Sequence, residues 1–165
     1  MGLSTVDDSF EILAGSGRRD AQRKWDRRFL EMADLVATWS KDPSTKVGAV
    51  IVRPDRTVAS VGFNGFPRGM RDHDHLYADR EIKYSRIVHA EMNAILAAPG
   101  RVEGCTLYLP MLPCDRCAVH VIQAGITRVV TWEPTADLLS RWGDALEKCR
   151  WMFREACVRF EELPR

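Results

Sequence analysis

No stretch of the chain approaches the roughly 20 apolar residues that a membrane-spanning helix requires, so the sequence offers no candidate span. Charge of one sign is equally scarce. The 24 Lys and Arg residues nearly balance 23 Asp and Glu, and no long basic run marks a surface for a polyanion; nucleic acid is not expected as a partner, whereas a small anionic substrate needs only a few local cations. Repeats and low-complexity tracts are absent. The segment Met1 to Asp20 lacks the apolar middle of a signal peptide and carries Asp7, Asp8, Glu11, Arg18 and Arg19, which leads us to expect a cytoplasmic protein. In that compartment the five cysteines are expected as thiols or metal ligands rather than disulfides.

What is present suits one domain. The chain has 165 residues, 45% of them apolar, enough for a sizeable core. Residues 1–20 read as a flexible leader with one short apolar contact through Phe10, Ile12 and Leu13, and residues 21–165 as the folded domain. From Trp25, apolar residues at 25, 29, 32, 33, 36 and 37 recur at helical spacing, and Asp42-Pro43 closes that helix. Lys46 to Val52 and Thr57 to Gly62 read as strands of a hairpin around Pro54-Asp55-Arg56. Residues 63–85 read as a long irregular, functional segment. Helix is expected at about 89–98, strand at 106–109, helix at 114–124, strand at 127–131, a long helix at about 135–156 and a last strand at 158–163. The expectation is an α/β fold of three layers, α/β/α, with a mixed five-stranded sheet, an opening hairpin and parallel last strands. Ligands of such sheets gather at the carboxyl ends of the strands.

Two segments carry chemistry, His89-Ala90-Glu91 and Pro113-Cys114-Asp115-Arg116-Cys117, each opening a helix after a loop. Cys-x-x-Cys presents two thiolates to a helix N-terminus, where backbone N–H groups favour negative charge. Two thiolates and one imidazole suit Zn²⁺, and three protein ligands leave the fourth tetrahedral position for water, as catalytic sites do. Zinc lowers the pKa of such a water toward neutrality. Glu91, two residues after His89, points in another direction and can move protons without ligating metal.

Each piece has plainer readings. Cys-x-x-Cys also serves as a redox pair or half a structural zinc knuckle, and a lone His is usually hydrogen-bonded structure. A structural four-ligand site would draw on Cys105, His73, His75 or His120, and His73 with His75 could hold a second metal. Cys149 and Cys157 read as core thiols. Glycines at 62, 65 and 69 let backbone approach a ligand, although an ordinary turn uses them too. Together, His-x-Glu followed by Pro-Cys-x-x-Cys matches the zinc deaminase signature.

The chain resembles the deoxycytidylate (dCMP) deaminases of the cytidine deaminase superfamily from about Trp25 to Leu163. The resemblance runs through Ser40-Lys41-Asp42-Pro43, KVGAVIV, Gly62 to Gly69 (GFNGFPRG), Lys83-Tyr84, VHAEMNAI, GCTLYL, PCDRCA and QAGI. It implies that His89, Cys114 and Cys117 hold zinc and that Glu91 shuttles protons. Asn64 would hold sugar or base, Ala90 would offer a backbone contact to the pyrimidine, and Ser40, Lys41 and Arg68 would lie near the phosphate. The implied reaction is hydrolysis of dCMP to dUMP and ammonia by zinc-activated hydroxide, feeding dTMP synthesis. The implied assembly is a homohexamer regulated by dCTP and dTTP, with Mg²⁺ on the triphosphate and Gly62, Gly65 and Gly69 in the effector loop. Leu76-Tyr77 and Ile82 depart from the family's Pro-Trp and Thr. Other readings are a deaminase of another free base, nucleoside or nucleotide, an editor of nucleic acid, which would need a basic track and stacking aromatics, and a binding module that retains the fold without the chemistry.

Overall fold

The structure, a computed structural model, describes residues 7–165, with side chains from Arg19 onward. The apolar contact expected of Phe10, Ile12 and Leu13 lies outside the described side chains. The first helix, α1, spans Asp7–Ala37 and so begins well before the amphipathic pattern at Trp25. Part of the segment read as a leader is therefore helical. Two strands follow, β1 (Gly48–Val52) and β2 (Val58–Phe63), joined by the expected hairpin.

The segment expected to be irregular contains two short helices, α2 (Asp74–Ala78) and α3 (Arg80–Arg86). They are too short for an apolar periodicity to reveal. Asp79 starts the second by accepting from the Ile82 N–H at 3.0 Å, an N-cap contact. Beyond them run α4 (Ala90–Ala97), β3 (Thr106–Leu109), α5 (Asp115–Gln123), β4 (Arg128–Trp132), α6 (Ala136–Glu155) and β5 (Arg159–Leu163).

The five strands form one sheet in the order β2-β1-β3-β4-β5. β1 lies antiparallel to both β2 and β3, while β3, β4 and β5 are parallel. Side-chain alternation sorts the core into two layers. Ala49, Ile51, Leu107, Leu109 and Val129 face α4, α5 and α6, and Val50, Val52, Tyr108, Val130 and Trp132 face α1. Both layers are nearly dry, which is why these strands read as continuous apolar runs.

Two glycines set how closely helices approach. A Cβ on Gly48 would lie 2.2 Å from the Ala33 carbonyl oxygen of α1, and one on Gly62 would lie 2.3 Å from the Ala94 nitrogen of α4. Gly62 thus serves helix packing. Polar ties lock α1 to the sheet's far edge. Arg128 forks onto Asp26 at 2.7 and 2.9 Å and onto Glu161 at 2.8 and 2.9 Å, and Tyr108 donates its hydroxyl to Asp26 at 2.7 Å.

Candidate metal centre and active site

Strands β2 and β3 run in the same direction, so both end at one rim of the sheet. Beyond β2, Gly65 pairs with Val88 through two backbone hydrogen bonds of 3.1 and 2.8 Å. That bridge delivers His89 to the rim with extended backbone (φ −72°, ψ 156°) as the N-cap of α4. Beyond β3, the proline-bounded turn delivers Cys114, also extended (φ −70°, ψ 164°), as the N-cap of α5. Cys117 sits in the first turn of that helix. The His89 side chain makes no cap hydrogen bond to its own helix and is directed instead to the two thiols.

The Nδ1 of His89 lies 3.5 Å from Cys114 Sγ and 3.3 Å from Cys117 Sγ. All three candidate ligand atoms fall within 4.8 Å of one another. A tetrahedral zinc ion with bonds of about 2.3 Å to sulfur and 2.0–2.1 Å to nitrogen separates S and N ligands by roughly 3.6 Å. The observed spacing therefore accepts zinc with minor adjustment. No fourth His, Cys, Asp or Glu joins the group among the described residues. Cys105 and His120 stand apart from the cluster among the described residues, and the rings of His73 and His75 stack on each other with centroids 5.7 Å apart. The structural four-ligand site and a three-ligand second site are thus not formed. All five cysteines are free, and Cys157, expected as a core thiol, is exposed because it lies just past α6 with φ 56°.

Electrostatics separate the two thiols. The hydrogen bond from Cys117, followed by that from His89, brings Cys114 down to about 4. The same contact with Cys114, together with burial, pushes the Cys117 thiol up. His89 is raised, first by its hydrogen bond to Cys114. A divalent cation bound here would displace the protons these groups carry. Glu91 is 4% exposed; burial raises its carboxyl above the usual carboxylate range, against smaller lowering contributions from its own backbone and His89.

The other sequence-picked residues divide. Asn64 is buried and ties loops together. Its Oδ1 accepts from the Val47 N–H at 2.8 Å, and its Nδ2 donates to the Thr45 carbonyl at 2.8 Å and to Asp42 at 3.4 Å. Ser40 is buried too and donates to the Asn64 carbonyl at 2.8 Å. Lys41 pairs with Asp72 at 2.9 Å, while Arg68 and Gly69 are exposed. Ala90 is fully buried under Gly62.

Sequence reasoning gave no role to the buried pair Lys83–Asp42, 2.7 Å apart, with Lys83 also donating to Ser44 at 2.6 Å. It also missed the stack of Phe66 on Tyr77, 4.3 Å between ring centroids at an interplanar angle of 4°. The Tyr77 hydroxyl donates to Asp72 at 2.7 Å, and burial followed by that carboxylate pushes it up to about 12. Asp42 and Lys83 lie in the quoted motifs Asp-Pro and Lys-Tyr, but only the fold pairs residues so distant in sequence.

Residues 23–133 match the family described as the cytidine and deoxycytidylate deaminase zinc-binding region. The chain belongs to this family. It is 50% identical over 141 residues to an uncharacterised deaminase from the luxG 3′ region of Aliivibrio fischeri, covering 86% of this chain and 95% of that protein. It is 39% identical over 120 residues to the deoxycytidylate deaminase of Homo sapiens, covering 68% and 67% of the two chains. The dCMP deaminase of cyanophage S-TIM5, in a complex with dCMP and dUMP, shares the fold with a TM-score of 0.65 at 22% identity, over 83% of this chain and 95% of that one. Membership in this zinc-binding deaminase family identifies a zinc-dependent hydrolase, the His89, Cys114 and Cys117 cluster fits that ion, and the mixed sheet with helices on both faces is the deaminase fold expected from the sequence. Among the described residues no helix is long and apolar enough to cross a membrane.

Proposed function

We propose that this deaminase hydrolyses dCMP to dUMP and ammonia, with His89, Cys114 and Cys117 holding zinc and Glu91 moving the protons. The observation that carries the reading is the approach of His89 Nδ1 to both thiols at 3.3–3.5 Å, beside a buried carboxyl. When bound, zinc supplies Lewis acidity that lowers the pKa of water toward neutrality. Glu91 would take one proton from the attacking water and hand it to the ring nitrogen as oxygen adds at C4, then take the second proton from the new C4 hydroxyl and hand it to the amino group, which leaves as ammonia while the C4 carbonyl forms. Burial of Glu91 keeps bulk water from competing for those protons.

The substrate assignment is supported by the curated deoxycytidylate deaminases at about 40% identity. Both N–H donors of Asn64 are engaged, which leaves this side chain one lone pair on Oδ1; its contact to substrate is acceptance from a sugar hydroxyl. Lys41 and Arg68, exposed on neighbouring loops, are the cations for the phosphate, with Ser40 holding their loop to Asn64. Ala90 offers its backbone to the ring. By the same resemblance the proposal includes a leader ahead of a domain from residue 21, a cytoplasmic hexamer that feeds dTMP synthesis, and control by dCTP and dTTP with Mg²⁺ through the Gly62, Gly65 and Gly69 segment. Exposed Leu139, Trp142 and Trp151 on α6 support assembly.

The test is ammonia release by the zinc-loaded protein given dCMP, CMP, deoxycytidine, dCTP and a cytosine-containing oligonucleotide. Turnover of dCMP well above deoxycytidine is expected, because binding energy at the remote phosphate positions the ring. Turnover elsewhere with none on dCMP overturns the substrate but keeps the zinc chemistry.

A further inference from the structure

The opposite rim of the sheet, where β3, β4 and β5 begin, holds a cavity of about 280 Å³ beneath α1. It lies away from the zinc centre, which sits beyond the carboxyl end of β3. Four arginines line it, at positions 53, 56, 128 and 159. They are not equivalent. Arg128 has every N–H engaged, on both oxygens of Asp26, both of Glu161 and the Tyr108 hydroxyl. Its single charge is taken up by two carboxylates, which leaves it none to offer a ligand.

The other three guanidinium groups have no carboxylate within ion-pair distance among the described residues. Arg53 is held by donation to the Val58 carbonyl at 3.1 Å and to Thr57 at 3.4 Å. Arg56 rests over the Trp25 ring at 5.4 Å from its centroid. Asp55, the nearest acid of that hairpin, is turned to Thr57, accepting from its N–H and hydroxyl at 2.9 and 2.7 Å. Arg159 opens β5 at the cavity mouth. Thr106 and Thr127 also border the cavity.

We propose that this cavity binds a phosphate group, either free phosphate or a small phosphate ester, with Arg53, Arg56 and Arg159 as its cations. Three guanidinium-bearing residues border one concave site without carboxylate partners among the described residues, and a guanidinium's planar fork matches phosphate oxygens better than a point charge does. The volume admits a phosphate with a small substituent and falls short of an ordinary drug-sized pocket. The site is independent of the zinc centre and stands whether or not dCMP is the substrate.

The experiment follows backbone amide shifts of Gly104, Thr106, Thr127 and Arg159 in the zinc-loaded full chain during titration. Sodium phosphate and ribose 5-phosphate are compared with sodium chloride at equal ionic strength. Saturable shifts with phosphate and none with chloride are expected. In a double variant Arg56→Gln, Arg159→Gln the phosphate affinity is expected to fall about tenfold or more, as losing charge-assisted hydrogen bonds does. Both substituted positions are exposed, and unchanged amide shifts elsewhere check that the variant folds. Tighter binding of ribose 5-phosphate than of phosphate identifies an ester as the occupant, and the reverse identifies the free ion. Shifts that follow ionic strength alone, or an affinity unchanged in the double variant, overturn the proposal.

Discussion

Lys83 and Asp42 meet 2.7 Å apart with side chains 9% and 0% exposed, and removing one charge strands the other. Lys83→Met leaves Asp42 with the N–H groups of Ser44 and Thr45, at 2.9 and 3.1 Å. The loss is therefore placed at about 3 kcal/mol, the low end for a broken buried pair. A chain of this size then melts roughly 6–12 °C lower, which a thermal scan of the zinc-loaded protein checks. At the zinc centre the roles separate by variant. Glu91→Ala is expected to retain zinc and lose at least about 100–10,000-fold in turnover, while Cys114→Ala loses both metal and activity. Metal analysis and ammonia release read the two quantities, and an active Glu91→Ala enzyme would falsify the mechanism. His89, Cys114 and Cys117 were legible as candidate ligands because zinc's preferred donor types and the Cys-x-x-Cys spacing are local features, and Glu91 because it follows His89 by two residues at the start of the same helix. The side-chain bonds of Asn64 were not, since their partners lie up to 22 positions away.

At the scale of elements, helix α4 can reach the sheet only because β2 presents a glycine to it. Gly62→Ala places a Cβ 2.3 Å from the Ala94 nitrogen and 2.5 Å from the Ala90 carbonyl, and neither atom is on a flexible side chain. The helix must shift, at a cost of about 3 kcal/mol by comparison with overpacked cores. Because His89 caps that helix, a displaced α4 also loosens zinc. Chelator competition should show weaker zinc binding in Gly62→Ala. Gly48→Ala forces α1 outward on the other face and is expected to lower the melting temperature by a similar amount without changing zinc affinity. Equal zinc affinity in the two variants would refute this division between the layers. The strands and long helices were readable from apolar period and length, whereas α2 and α3 escaped because their stability comes from Tyr77 stacking on Phe66 and Lys83 pairing with Asp42.

For the whole molecule, two buried carboxylates link stability to acid. Burial by itself raises Asp26, but hydrogen bonds from Arg128, Tyr108 and Gln22 outweigh it and hold the carboxyl low. Asp42 follows the same balance, with Lys83 and the Ser44 and Thr45 backbone against burial. In both cases the folded pKa lies below the unfolded value of about 4. The unfolded chain therefore takes up protons first as pH falls. The stabilisation is complete above about pH 4 and is lost progressively toward the lower folded values. Denaturant titrations between pH 7 and pH 3 should show it, and Asp26→Asn should flatten the acid limb. Zinc adds a second linkage, since an ion bound only by the folded chain raises its stability. Chelation is expected to lower the melting temperature as well as stop turnover.

The amino-acid sequence determined what local rules can express. It set the apolar runs that become dry strands, the helix starts at Ala90 and Asp115, and the candidate ligand types at 89, 114 and 117, the last two spaced by one helical turn. Tertiary structure alone decided which loops share a rim. It brought His89 against Cys114 across 25 positions, Lys83 against Asp42 across 41 and Arg128 against Asp26 across 102. It also left the arginine-lined cavity at the other end of the sheet. Such pairings depend on strand order and helix packing summed over the entire core, and no window of sequence contains that sum.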